Sequence, residues 1–223
     1  MGSKIKLKAS DGHEFGAYVA APEGPTHSAI IVIQEIFGVN SHIRSVADDY
    51  AGQGFLAIAP ALFDRVQPDL ELKYDSTDSA RGREAATRVG MDNALLDVAA
   101  AIQHAAQVLG ITKVGVLGFC WGGTLAWLAA TRLNPAAAVG YYGGQIAKHA
   151  AEAPTCSVTL HFGSRDPHIG PEEIATIKQS HPDLPIFLYD AGHGFNCDQR
   201  KDYDPPSAAL ARQRTLDFFR AHL

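Results

Sequence analysis

Gly118-Phe119-Cys120-Trp121-Gly122 sets a thiol between two glycines, each two positions away. The apolar run KVGVLG (113–118) before it reads as a strand, and WGGTLAWLAATRL (121–133) after it reads as a helix. A side chain on so sharp a strand-to-helix turn is lifted clear of both elements. The turn strains its central residue and presses neighbouring backbones together, which glycine tolerates. The helix N-terminus beneath offers unpaired N–H groups and a positive dipole end, suited to a thiolate and then to an oxyanion. The spacing is that of the G-x-S-x-G nucleophile elbow, with sulfur for oxygen. The plainer alternative is a buried small hydrophobe, the usual fate of a free cysteine. The paired glycines and the strand-to-helix context favour a nucleophile.

A nucleophile of this kind needs a base, and the base needs an orienting acid. Behind such an elbow they follow in the order nucleophile, acid, histidine. LHFGSRDPHIG places Asp166 just past a strand, and LYDAGHGFN places His193 between two glycines past the next strand. Ten histidines make order alone a weak guide. His104 and His222 read as solvated, and His161 as packed inside a strand. His13, His27, His42, His149 and His181 read as surface or turn residues. His168 is the competitor, since with Asp166 it could form a metal pair, though one loop alone makes a poor zinc site. Asp190 and Asp198 compete as the acid, but both lie on or beside the histidine's own strand or loop.

These residues need elements to hold them. KIKLKA (4–9) and EFGAYVAAP (14–22) alternate with period two around Asp11-Gly12, a hairpin signal. SAIIVIQE (28–35) and FLAIAP (55–60) are continuous apolar runs, as in strands covered on both faces. Asn40 and Ser41 can cap a helix to about Gly52. Residues 61–78 read as a loop, followed by a helical pattern from about Ser79 to Leu109, interrupted near Gly90. AAAVGYYGG (136–144), SVTLHFGS (157–164) and PIFLYDAG (185–192) read as strands. PEEIATIKQS (171–180) and the stretch from Ser207 to His222 read as helices. Strand and helix alternate throughout, which demands parallel pairing with right-handed crossovers. With no linker or composition shift, the expectation is one α/β domain over 1–223.

Composition excludes several classes of function. With 24 acidic against 19 basic residues and no basic run, the chain has no footprint for nucleic acid. No stretch approaches the roughly 18 apolar residues of a membrane span. Three irregularly spaced cysteines argue against a disulfide framework, and the absence of a CxxC pair against a cysteine zinc site. The N-terminal stretch alternates rather than forming the apolar core of a signal peptide. The expectation is a cytoplasmic protein, a monomer or weak homodimer, acting on a small molecule with no cofactor and no metal.

QEIFGVN (34–40), APALF (59–63), GFCWGG (118–123), GYYGG (140–144), GSRD (163–166), AGHGF (191–195) and RTLDFF (214–219), in this order, resemble the dienelactone hydrolase family. The likeness runs through nearly the whole chain. It implies an α/β-hydrolase fold, a mostly parallel central sheet of about eight strands with helices on both faces. It also implies hydrolysis of a small lactone or activated ester through Cys120, Asp166 and His193. Glu35 corresponds to a buried glutamate that contacts the resting nucleophile. The N–H groups of Ile36 and Trp121 match the oxyanion hole. Family members that open dienelactones carry an arginine four residues after the histidine, where this chain has Cys197 and its next arginine is Arg200. Arg81 and Arg83 fall near a second family arginine and are the candidates to grip a substrate carboxylate, which needs the planar fork of arginine. Arg81, Arg83 and Arg200 read equally well as solvated charges. Two further readings stand beside a lactonase: a general carboxylesterase, and a thiol redox sensor or binding module that has lost catalysis.

Overall fold

The computed structural model describes residues 2–223. Eight strands form one sheet: β1 (Ser3–Lys8), β2 (Glu14–Ala20), β3 (Ser28–Ile33), β4 (Leu56–Pro60), β5 (Lys113–Phe119), β6 (Ala137–Tyr141), β7 (Ser157–Gly163) and β8 (Ile186–Tyr189). Their order is β1-β2-β4-β3-β5-β6-β7-β8. β1 and β2 pair antiparallel, as their Asp11-Gly12 turn implies, and β2 joins β4 antiparallel. Every other neighbour pairs in parallel. The apolar runs are the inner strands, and residues 29 to 33 of β3 have no solvent exposure. Buried aliphatic side chains of this kind contribute about 1.5–3 kcal/mol each.

The helices are α1 (Ser41–Gly52), α2 (Ser76–Val89), α3 (Met91–Gln103), α4 (Trp121–Arg132), α5 (Pro171–Ser180) and α6 (Pro205–His222). α1 and α6 meet through Tyr50 and Phe219, whose rings are 6.3 Å apart. α3 and α4 pack together and against the inner strands. The Asn40 side chain accepts from the Ile43 N–H and so starts α1 as expected.

Two stretches depart from the sequence expectation. The 61–78 segment is not all loop: Leu62–Arg65 form a 3-10 turn, and α2 begins at Ser76 under an Asp75 cap. Arg65 anchors that turn with two bonds of 2.8 and 2.7 Å to the buried Asp97 of α3. α6 starts at Pro205, with Asp204 accepting from the Ser207 N–H, because proline fits the first turn of a helix. The break at Gly90 is real, since its φ of +72° separates α2 from α3. Among the described residues no helix is long and apolar enough to cross a membrane.

Candidate active site

The strained turn at the end of β5 sets the site. Cys120 has φ +54° and ψ −114°, a conformation that costs a non-glycine residue of order 1–3 kcal/mol. A Cβ on Gly118 would collide with the Gly122 carbonyl, and one on Gly122 with the Gln34 and Ile33 carbonyls of the neighbouring strand end. Both flanking glycines are therefore required by close backbone approach. The thiol opens into a cavity of about 620 Å³ that also meets Trp121, Ile36, His193, Arg83 and Arg200.

Two loops bring partners to the sulfur. His193, in the loop after β8, directs Nε2 at Cys120 Sγ at 3.2 Å and Nδ1 at Asp166 Oδ2 at 2.6 Å. Asp166, just past β7, is held in turn by the His168 N–H on Oδ1 at 2.8 Å. A carboxylate only accepts, so Nδ1 carries the proton and Nε2 faces the thiol. Burial works to lower the His193 pKa, but the hydrogen bonds to Asp166 and Cys120 prevail and raise it to about 10. The competing acids are engaged elsewhere: Asp190 pairs with Arg165 at 3.1 Å, and Asp198 meets His42 at 3.0 Å. His168 faces the same cavity, its ring 5.2 Å from that of His193.

Glu35 lies two residues past β3 with no solvent exposure. Its Oε1 accepts from Arg200 Nη1 at 3.1 Å, whereas its Oε2 is buried without a partner. Its recorded bond is thus to a guanidinium, and the sulfur's bond is to His193. A buried carboxylate is costly without an opposite charge, and Arg200 supplies one. Burial works against the Arg200 charge, but Glu35, together with Tyr142, Cys120 and Cys197, outweighs it and holds the guanidinium above its ordinary range. Phe37 and Tyr74 wall that guanidinium at 5.9 and 6.0 Å.

Arg200 is thus not a solvated charge. It is the functional candidate that the spacing after His193 did not single out. The signal was Glu35 itself, a carboxylate at the end of an apolar strand that demands a cation. Arg83 lines the cavity, but Arg81 does not. Arg81 is bound to Asp78 at 2.7 Å on the outer surface, its side chain 54% exposed. Residues two apart on a helix do not share a face, so α2 turns one of the pair outward.

Ile36 and Trp121 line the same cavity as Cys120. Trp121 opens α4, where N–H groups have no carbonyl within the helix. Ile36 lines the cavity, and α2 packs so tightly on its carbonyl that a Cβ on Gly82 would collide with it. Burial pushes the Cys156 thiol up to about 11 and the Cys197 thiol up to about 12.

Known proteins resemble this chain over most of its length. The profile of the Dienelactone hydrolase family matches residues 15–223. A carboxymethylenebutenolidase of Pseudomonas putida is 35% identical over 225 residues, covering 96% of this chain and 94% of its own. Carboxymethylenebutenolidase 1 of Cupriavidus pinatubonensis is 29% identical, covering 96% and 94%. The crystal structure of a candidate dienelactone hydrolase from Klebsiella pneumoniae subsp. pneumoniae aligns with a TM-score of 0.83 at 30% identity. It covers 98% of this chain and 99% of that one. Fold, motif order and kinship therefore converge: the chain belongs to the dienelactone hydrolase family, and with it to the hydrolases of carboxylic ester and lactone bonds.

Proposed function

We propose that the protein hydrolyses a small lactone or activated ester bearing a carboxylate, through a thioester on Cys120. The observation that carries this reading is the continuous line from Asp166 through the His193 ring to Cys120 Sγ, with links of 2.6 and 3.2 Å. A redox sensor needs the sulfur alone and has no use for an oriented imidazole.

Cys120 and His193 share one proton; with that proton on His193, the Cys120 thiolate attacks the substrate carbonyl carbon. The developing oxyanion is met by the N–H groups of Ile36 and Trp121, donors fixed before the reaction begins. The C–O bond then breaks, and imidazolium returns the proton to the leaving oxygen. Water, deprotonated by His193, attacks the thioester, and the thiol is released with the acid product. No cofactor is required for these steps.

Arg200 and Arg83 account for the carboxylate. Both face the cavity that holds Cys120, and their guanidiniums suit a planar anion. An arriving carboxylate competes with Glu35 for Arg200. Arg200 stands seven residues after His193, rather than four, yet reaches the same cavity.

Mass spectrometry after a brief incubation with an activated ester tests the covalent step. The expected result is one acyl group on the Cys120 peptide. Turnover of a dienelactone with no adduct on that peptide at any quench time would sink the thioester route. Higher kcat/KM for a p-nitrophenyl ester than for a dienelactone of similar size would favour the general carboxylesterase reading instead.

A further inference from the structure

Outside the active site, the loop that follows His193 carries Cys197 and Asp198 against His42, the second residue of α1. One donor atom from each of the three lies within 4.8 Å of the other two. We propose that His42, Cys197 and Asp198 form a binding site for a thiophilic divalent cation of the zinc type.

The donor chemistry sets the class of ion. Thiolate sulfur, imidazole nitrogen and carboxylate oxygen together suit a borderline-soft ion such as zinc, rather than magnesium or calcium, which prefer oxygen alone. A thiolate and a carboxylate bring two negative charges, which balance a divalent cation. Binding forms a metal–sulfur bond and releases the Cys197 proton to solvent, with nothing oxidised or reduced.

Access is open at His42 and Asp198, while Cys197 is fully buried. His42 and Asp198 line a second cavity of about 390 Å³, beside α1 and α6 and separate from the one that holds Cys120. Asp198 is largely exposed, so an ion can arrive from solvent, whereas Cys197 and His42 are buried and pre-positioned. The only other acidic side chain lining that cavity, Asp49, is already paired with Arg212 at 2.7 Å.

The hydrogen bonds present leave the cluster incomplete. His42 Nδ1 is bonded to Asp198, but His42 Nε2 is buried with no partner. Buried ring nitrogens are normally satisfied, and an orphan costs about 1–3 kcal/mol. An ion seated in the cluster would replace the hydrogen bond between His42 Nδ1 and Asp198, so that ring and carboxylate bind the metal instead of each other. An ion here would tie α1 to the loop three residues before Arg200, and so brace the guanidinium that holds Glu35.

Zinc(II) titrated against a chromophoric chelator tests the site in the full-length Cys120→Ala protein, which removes the thiol–imidazole pair of the active site as a rival. The expected stoichiometry is one ion per chain. His42→Ala and Cys197→Ala should each weaken binding by at least about tenfold, and the exposed substitution Asp198→Asn should also weaken it. Cobalt(II) in place of zinc should give a thiolate-to-metal absorption band that Cys197→Ala abolishes. No zinc bound at micromolar concentration overturns the proposal. So does a cobalt band that survives Cys197→Ala, which would point to Cys156. Should either buried variant fail to fold, an unchanged affinity in Asp198→Asn overturns it alone. None of these outcomes depends on whether Cys120 forms a thioester.

Discussion

The chain holds two neighbourhoods built from cysteine, histidine and aspartate, Cys120 with His193 and Asp166, and Cys197 with His42 and Asp198. In the first, one imidazole bridges acid and sulfur, each ring nitrogen bonded to one of them. In the second, the imidazole bonds its acid, but its other nitrogen has no partner. Cys120 is held at positive φ over a cavity, while Cys197 is buried and its pKa is pushed up to about 12. Residue type is the same in both places. Backbone placement and an unbroken hydrogen-bond line decide which sulfur can be a nucleophile.

Exchanging the two sulfurs breaks the comparison most sharply. Cys120→Ala should lower kcat by about 10⁴-fold or more, because the covalent route is lost altogether. Cys197→Ala should stay within about tenfold of wild type. The same contrast extends to the bases: His193→Ala should cost at least about 100-fold, and His42→Ala far less. Steady-state assays on the four purified variants, each checked for cooperative unfolding, decide the matter. Comparable losses at the two sulfurs would mean that the bonded line from Asp166 to Cys120 does not carry the chemistry.

What could be read from the sequence follows from how local each signal is. Gly118 and Gly122 announce the elbow because each is forced by backbone a few residues or one strand away. Asp166 and His193 are found by chain order, since each follows the end of a strand in a parallel sheet. The parallel pairing of β3 with β5 and on through β6, β7 and β8 was legible for the same reason, since alternating strand and helix demand crossovers, whereas the strand order came only with the structure. Arg200 was not legible, because its meaning depends on Glu35, 165 residues away. His42 looked like a surface residue because the carboxylate that meets it is 156 positions distant. Arg81 and Arg83 could have been told apart, since a helical pattern already forbade both from facing one cavity.

That last separation supplies a smaller test. Arg200→Gln removes a charged fork from the cavity and strands Glu35, so kcat/KM for a carboxylate-bearing substrate should fall about 10- to 100-fold. For a neutral ester of similar size the fall should be clearly smaller, and this difference separates substrate recognition from mere loss of the Glu35 pair. Arg81→Gln should leave both substrates nearly unaffected, because an exposed pair with Asp78 contributes about 0–1 kcal/mol. Equal losses on both substrates would reduce Arg200 to a counter-ion for Glu35.

The smallest expected effect is a shift in titration. In the folded chain His193 keeps its proton up to about 10, because its bonds to Asp166 and Cys120 outweigh the cost of burial. Each of those partners favours the charged ring, so removing either must lower the value towards that of a free imidazole. NMR titration of ¹⁵N-labelled histidine should therefore show His193 deprotonating at lower pH in Asp166→Asn and in Cys120→Ala. Asp198→Asn should leave the His193 curve in place, since Asp198 meets His42 and not His193. The sign is fixed by the geometry: an acceptor removed from a protonated nitrogen cannot hold the proton more tightly. A His193 curve that moved with Asp198 and ignored Asp166 would mean that the two neighbourhoods act as one network, and their contrast would dissolve.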